Sequence, residues 1–278
     1  AWSNTGAVRT GGTASPDPTL RDNVVIYGSS ITVEDLTTAS ASFLVQGTIT
    51  LDAVNDIKVN NQVEARLNSG VVQNITLYSA NGSVTQTSPQ NVDFIDNEPI
   101  RAGILTVHAA NGITLGATEV ISISAVNTGA LGDIVIGETA AGGNLSILSI
   151  QQTNAANPGN ISVSTLNGAI TVDAAGTGIS TVGDGNITLT ASATTVANGQ
   201  INVYQALRST NGSITLTATG AATLIDDATR FGTLTTAGGA VSVTSSTGAV
   251  TIGGNIVSAG GMVTVNAGTA ILLGGGKR

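Results

Sequence analysis

Several residue types are scarce or missing in this chain of 278 residues. Cysteine is absent, which excludes disulfide scaffolds, thiol catalysis and cysteine-ligated zinc or iron–sulfur sites. Aromatic residues make up 3% and charged residues 9% of the chain, whereas an average soluble domain is roughly 25% charged. A net charge of -8 with only two lysines argues against a nucleic-acid-binding surface. No run of about 18 apolar residues occurs, so no transmembrane segment is predicted.

What the chain does contain is a hydrophobic share of 41%, too high for a disordered protein, and 36 glycines. A short motif recurs through it: Gly or Asn, a small residue, Ile or Val, Thr or Ser, then Leu or Val. Its first apolar residue returns every 26 to 30 residues, with a shorter last interval of 22. The predicted series is Ile49, Ile75, Ile104, Ile134, Ile161, Ile187, Ile214, Val241 and Val263.

The motif predicts short strands, because apolar and polar residues alternate so that one face is buried. The Asn-Gly and other glycine-rich joints are expected to supply positive φ at the turns. Hairpins are the competing interpretation, since Asn-Gly is also a hairpin signal. A hairpin sandwich does not repeat its strands at a fixed phase, whereas a coil does. The sequence therefore predicts an all-β fold, a single right-handed parallel β-helix with about 27 residues per coil and about nine coils.

The extent of the repeat divides the chain into three segments. Residues 24–273 are predicted to form the parallel β-helix, a rod about 45 Å long if paired strands lie about 4.8 Å apart. Residues 1–23 lack the repeat and contain Pro16 and Pro18, so they are predicted to form an irregular or extended N-terminal lead-in. Residues 274–278 are a glycine-rich tail.

In a coil of constant length, equivalent residues stack on one another. Two aliphatic ladders are expected inside the coil and one hydroxyl ladder outside it. Their members are Ile161, Ile187, Ile214 and Val241; Val163, Leu189, Leu216 and Val243; and Ser162, Thr188, Thr215 and Ser242. We interpret the hydroxyl ladder as solvent-facing strand residues. A face that binds glycans, ice or a protein is the alternative, and the Thr-x-Thr ranks expected of an ice-binding face are predicted to be missing.

No catalytic, cofactor-binding or metal site is predicted. The single histidine, His108, is interpreted as an exposed residue at a strand end. Asp226 and Asp227 lie near Arg230 in a stretch that interrupts the repeat. We interpret this group as a solvated loop with an Asp–Arg pair, and a calcium or sugar site is the alternative. The acidic stretch 93–101 receives the same interpretation.

Potential glycosylation sequences occur within the repeat itself. We interpret them as repeat positions rather than as glycosylation sites. They begin at Asn74, Asn81, Asn144, Asn160, Asn186 and Asn211.

Two stretches resemble the repeat regions of filamentous-haemagglutinin-like exoproteins, the β-helical surface adhesins of Gram-negative bacteria. They are Asn211-Gly212-Ser213-Ile214-Thr215-Leu216-Thr217-Ala218 and Thr247-Gly248-Ala249-Val250-Thr251-Ile252. The resemblance covers most of residues 45–273 and implies an extracellular or cell-surface location without enzyme activity. The Asn-Pro-Asn-Gly and Asn-Pro-Asn-Leu motifs of the family's secretion domain are missing, so the chain resembles the shaft.

The function expected from these features is that of a structural surface fibre or adhesin shaft, secreted and processed, and not of an enzyme. The chain begins at Ala1 without an initiator Met, and Ala270–Leu273 runs into glycines without a cap candidate. An open β-helix exposes strand edges, so we expect either a longer adhesin chain or head-to-tail stacking of copies into filaments. Residues 1–23 are then a candidate clasp between subunits.

The alternative function is a carbohydrate-active β-helix enzyme or a glycan-binding solenoid with surface glycans as partners. Sugar-binding proteins of this kind use clustered carboxylates and aromatic residues. The aromatic residues of this chain are predicted to be too few and too scattered for that role.

Overall fold

The structure is a computed structural model of the chain. It describes residues 8–10, 24–33, 43–45, 47–60, 63–65, 71–86, 100–139, 143–156, 159–194, 198–225 and 229–274. The described residues form an all-β solenoid of stacked parallel coils, with about eight turns of about 26 residues. The predicted fold class is confirmed, with slightly fewer and slightly shorter coils than the sequence indicated. No helix in these ranges is long and apolar enough to cross a membrane.

The strands are short except near the middle of the chain. The N-terminal strands are β1 (Val8–Thr10), β2 (Val24–Gly28), β3 (Ile31–Val33), β4 (Phe43–Val45), β5 (Ile49–Ala53), β6 (Ile57–Val59), β7 (Val63–Ala65), β8 (Ile75–Ser79) and β9 (Val84–Gln86). The middle strands are β10 (Ile100–Ala109), β11 (Ile113–Asn127), β12 (Ile134–Glu138) and β13 (Leu145–Gln152). The C-terminal strands are β14 (Ile161–Thr165), β15 (Ile170–Val172), β16 (Gly178–Thr181), β17 (Ile187–Ala191), β18 (Ile201–Val203), β19 (Leu207–Ser209), β20 (Ile214–Ala218), β21 (Ala222–Leu224), β22 (Leu234–Thr236), β23 (Val241–Ser245), β24 (Val250–Ile252), β25 (Ile256–Ser258), β26 (Val263–Ala267) and β27 (Ile271–Leu273).

Each coil places three strand segments on three sides of the solenoid, and each segment pairs in parallel with the segment one coil away. We call the sides that begin with β2, β3 and β4 sides A, B and C, and keep these names for all strands stacked on them. The antiparallel pair in the described chain is β1 with β2, which joins Val8 to Ile26 and Thr10 to Val24. Val8–Thr10 of the predicted irregular or extended lead-in is therefore a strand, and the other residues of 1–23 lie outside the described residues.

The aliphatic ladders predicted for the C-terminal half are confirmed. Ile161 pairs with Ile187, Ile187 with Ile214, and Ile214 with Val241, and the Val163 ladder runs beside them. All eight side chains are fully buried. At about 25 cal/mol per Å² of apolar surface removed from water, such ladders supply the main favourable free energy of folding. Aliphatic residues fill this narrow core, which accounts for the low aromatic content.

The upstream extension of the series was wrong at Ile104, whereas its step from Ile49 to Ile75 is confirmed by their pairing. Ile134 stacks on Ile113 rather than on Ile104, and Ile104 is 37% exposed. Ile75 pairs with Leu105, in a different column on side A. The true upstream members of the Ile134 column, on side B, are Ile113, Val84, Ile57 and Ile31.

The reason is that the sides exchange strand lengths halfway along the solenoid. In the N-terminal half, side A holds the five-residue strands β2, β5 and β8, and sides B and C hold short ones. At β13 the register on side A shifts, and Leu145–Ile147 pairs with β15 while Ser149–Gln151 pairs with β16. Meanwhile the columns of sides B and C merge through β11 and β12 into the five-residue strand β14. The long strand of each coil therefore changes side.

The turns use glycine chiefly for close approach. Of the five Asn-Gly joints, only that at Gly112 has a positive φ, at 105°, so the prediction that these joints supply positive φ was wrong for the other four. At Gly239 an added Cβ would lie 2.1 Å from the carbonyl oxygen of Gly212 one coil below. The same corner holds a stacked column of glycines, because a side chain there would push adjacent coils apart. Its members are Gly159, Gly185, Gly212, Gly239 and Gly261.

Asparagine side chains tie successive coils together at a neighbouring turn. The backbone N–H and the side-chain amide of Asn186 donate to Oδ1 of Asn160, at 3.0 and 2.9 Å. Asn186 Oδ1 in turn accepts the backbone N–H of Ser213 at 2.8 Å. The asparagines of these repeat motifs therefore satisfy backbone groups that the turns leave unpaired.

Candidate functional site

His108 lies in the penultimate position of β10, half-buried on the outer surface of side A. Its ring stacks on the ring of Tyr78, with 4.5 Å between the centroids and an angle of 21° between the planes. Its Nδ1 lies 3.3 Å from the backbone oxygen of Ser79. The contacts of His108 thus join it to the neighbouring coil.

The pairing register places four chemically distinctive residues in one outward column on side A. Tyr27 pairs with Asp52, Asp52 with Tyr78, and Tyr78 with His108. Both tyrosine side chains are exposed, Tyr27 by 46% and Tyr78 by 39%, and Asp52 is half-buried. The prediction that the aromatic residues are scattered was wrong for these two tyrosines. No local sequence pattern reveals the column, because 51 positions separate Tyr27 from Tyr78 in the chain.

The acidic stretches singled out in the sequence do not form a described site. Asp226 and Asp227 lie outside the described residues, and Arg230 has its Cζ atom 5.4 Å from the ring centroid of Tyr204. Of the stretch 93–101, only the end is described, where Arg101 Nε donates to Glu119 Oε2 at 2.5 Å. Among the residues in the described ranges, no group of three or more His, Asp or Glu is placed to hold a metal ion.

One buried carboxylate has a structural role. Glu138, at the end of β12, is 1% exposed. Its Oε2 accepts the hydroxyl of Thr118 at 3.1 Å and the backbone N–H of Val120 at 3.0 Å. These donors lie where the pairing between β11 and β12 is irregular, so the carboxylate satisfies polar groups that the ladder leaves unpaired.

The carboxyl of Asp56 has its pKa lowered, chiefly because it accepts the backbone N–H of Ser83 at 2.8 Å. The Ser83 hydroxyl, at 3.0 Å from the same oxygen, and the charge of Lys58 act in the same direction, and burial opposes them. Asp56 therefore acts as a charged acceptor at a turn between coils.

The predicted hydroxyl ladder of Ser162, Thr188, Thr215 and Ser242 is confirmed by the strand register. A second outward ladder runs beside it, which the sequence analysis did not predict. Two of the four stacked pairs are Thr-x-Thr, at Thr188-x-Thr190 and Thr215-x-Thr217, and the other two contain serine, so the ranks are not strictly Thr-x-Thr. The second ladder consists of Ser164, Thr190, Thr217 and Thr244.

The C-terminal coil leaves an apolar surface uncovered. β25, β26 and β27 each pair with one neighbouring strand, on the side of the preceding coils. Val263 is 47% exposed and Leu273 is 77% exposed, whereas Val241, directly below Val263, is fully buried. Within the described residues, nothing covers this end.

A scan against protein-family models finds no match for this chain, and searches of curated proteins and of solved structures find none either. The β-helical repeat architecture is therefore established by the structure alone, and the resemblance to haemagglutinin-like adhesins stays a prediction.

Proposed function

We propose that this chain is a structural solenoid, a segment of an extracellular fibre or adhesin shaft, that stacks end to end with further copies of itself into filaments. The observation that supports this proposal is the open apolar surface of the last coil. Unpaired strand edges readily take up another strand, and a contact between two different ends of a molecule does not close, so it extends indefinitely. The extracellular location rests on the sequence resemblance.

The strands at the C-terminal end continue the parallel stacking of the interior but are uncovered. They are parallel to the strands below, they expose apolar side chains, and no strand among the described residues pairs with their outer edges. Val263, Ile271 and Leu273 continue the columns of Val241, Val250 and Ile252. A further coil with apolar residues at these column positions would bury them as the interior coils are buried.

The first coil of a second copy has the strand lengths that this end requires. The end presents the five-residue strand β26 followed by the three-residue strand β27. The N-terminal end presents the five-residue strand β2 followed by the three-residue strand β3. The spacing between the two strands is also similar at the two ends. It runs from Val263 to Ile271 at the C-terminal end and from Val24 to Ile31 at the N-terminal end. β3 of a second copy can therefore stack on β27, and β2 can stack on β26 once β1 is displaced from the edge of β2.

This match sets the rotation between copies. The long strand stands on side A at the N-terminal end, and on the merged sides B and C at the C-terminal end. Side A lies opposite the junction of sides B and C in a three-sided coil. Pairing long strand with long strand therefore turns each copy by about half a turn relative to the previous one, in the manner of a helical assembly.

The test is electron microscopy of the full chain across a concentration series without denaturant. We expect unbranched filaments with an axial rise of about 38 Å per subunit, from about eight coils at a strand spacing of about 4.8 Å. Leu273→Asp should abolish them, because it places a charge in the contact. Leu166→Asp is the matched control, since Leu166 is similarly exposed, at 66%, but lies in a turn on the flank. Single short rods at every concentration, or filaments that persist in Leu273→Asp, would overturn the proposal.

A further inference from the structure

The outward column of Tyr27, Asp52, Tyr78 and His108 forms a surface on the flank of the rod that end-to-end stacking does not cover. Paired strands lie about 4.8 Å apart, so the backbones of the two tyrosines are about 10 Å apart along the axis, with Asp52 midway between them. We call the space between these two side chains, above Asp52, the tyrosine slot. A ring-shaped ligand has room there between two aromatic groups.

One side of the slot is held in position by a ring contact. His108 stacks on Tyr78 from the neighbouring coil that lies away from Asp52. The opposite face of the Tyr78 ring is therefore directed along the solenoid axis toward the coil that contains Asp52. A side chain held by stacking loses little conformational entropy when a ligand contacts it. Tyr27, at the other side of the slot, has the larger exposed fraction of the two tyrosines.

The floor of the slot is a carboxylate. The Asp52 carboxylate makes no hydrogen bond or ion pair with any residue that the structure describes, whereas its backbone belongs to the ladder of β5. An ionised carboxylate only accepts hydrogen bonds, through two oxygens with about four lone-pair positions. Two adjacent hydroxyl groups of a ligand can therefore both donate to it.

Hydroxyl groups flank the slot on the same side of the rod. Thr50, Thr76 and Thr106 form the next outward column, each two residues before a member of the first column. Two residues along a strand span about 6.6 Å. Their hydroxyls can donate to and accept from a ligand that extends beyond the slot, which Asp52 alone cannot do.

From this arrangement we infer that the tyrosine slot binds a sugar ring of a neutral polysaccharide. The apolar C–H face of a pyranose packs against the Tyr78 ring, and its hydroxyl edge donates to Asp52. Aromatic rings with a few placed polar groups are typical of small-molecule sites. The polymer continues along the threonine column, because each successive coil places a threonine hydroxyl at the same outward position.

Charge argues for a neutral glycan rather than an acidic one. Asp52 and a net charge of -8 repel uronic acids and sulfated sugars. A small organic cation is the competing ligand, since tyrosine faces and a carboxylate also attract ammonium groups. The flanking threonine hydroxyls favour the sugar, because a quaternary ammonium group makes no hydrogen bonds. The column contains one carboxylate, which suits binding, whereas glycoside hydrolysis generally uses a pair.

The experiment is isothermal titration of the full chain with cellohexaose, laminarihexaose and mannohexaose. Polygalacturonate serves as the acidic probe and choline as the cationic probe. We expect at least one neutral hexasaccharide to bind with a Kd of about 1 mM or tighter. Tyr78→Ala should weaken that binding at least tenfold, and Tyr27→Ala should weaken it too. Tyr204→Ala is the matched control and should leave the Kd within twofold, because Tyr204 lies outside this column and packs against Arg230.

Asp52→Asn separates the two ligand classes. An amide still accepts a hydroxyl hydrogen bond, so sugar binding should fall only several-fold, whereas binding of a cation should be lost. The inference is overturned if no neutral hexasaccharide binds, if polygalacturonate or choline binds more tightly, or if Tyr78→Ala binds as the unchanged chain does. The inference does not depend on filament formation, because the slot lies on the flank of a single rod.

Discussion

Replacing Gly239 with alanine should destabilise the solenoid, whereas the same replacement at the adjacent Gly238 should not. A Cβ at position 239 would lie 2.1 Å from the carbonyl oxygen and 2.3 Å from the carbonyl carbon of Gly212. At position 238 the nearest atom is the Asn211 oxygen at 3.9 Å, an ordinary contact. Neither glycine has a positive φ, so the comparison isolates the approach of the two coils.

The expected loss of stability follows from the displacement of the coils that a Cβ at position 239 requires. Relieving the overlap separates the coils at this corner by more than an ångström, and overpacking of this kind costs about 1–3 kcal/mol. The separation also disturbs the hydrogen bond from the Thr236 hydroxyl to Gly212 O, at 2.9 Å, and that from Gly239 N–H to Thr236 Oγ1, at 3.0 Å. Such a bond contributes about 1 kcal/mol. We expect Gly239→Ala to lose about 3 kcal/mol, and Gly238→Ala to gain up to about 1 kcal/mol through the unfolded state.

Urea unfolding followed by far-ultraviolet circular dichroism measures the difference, with midpoints compared at equal slope. Coils contact only their neighbours, so hydrogen exchange should show the loss of protection centred on the turns at Gly212 and Gly239. Equal midpoints for the two variants would refute the reasoning, because both add one methyl group to adjacent positions of the same turn.

Two further predictions concern acid stability and assembly. The lowered pKa of Asp56 means that its contribution to stability is present above the unfolded value, about 4, and is lost as pH falls through the folded value. Asp56→Asn should therefore lower the melting temperature at pH 7 and reduce its decline between pH 5 and pH 2; an unchanged decline would show that Ser83 does not stabilise the charged carboxylate. In assembly, β1 occupies the edge of β2 that a neighbouring β26 would need, so deletion of residues 1–23 should shorten the lag of filament formation measured by light scattering. Slower assembly of the deleted chain would instead support the clasp that the sequence suggested.

The regular half of the solenoid was predictable because its coils have nearly constant length. From Ile134 to Val241 the intervals vary by one residue, so the alternation of apolar and polar positions defines both the strands and their stacking. Near Ile104 the motif is also present, but β10 and β11 are long strands that turn from one side to the next. A local motif cannot show that a strand turns from one side to the next. An isoleucine that faces outward can have the same flanking residues in the chain as one that faces the core.

The sequence by itself therefore determined the class of fold, the aliphatic core of the C-terminal coils and the absence of cysteine chemistry, since each depends on composition or on a local period. Only the tertiary structure decided which outward residues share a column. Tyr27, Asp52 and Tyr78 meet because strand register is set by backbone pairing and by the total length of each intervening loop. The same holds for the exchange of long strands between sides, where a register shift within β13 divides one side into two. Register is a property of paired strands, and no single stretch of the chain contains it.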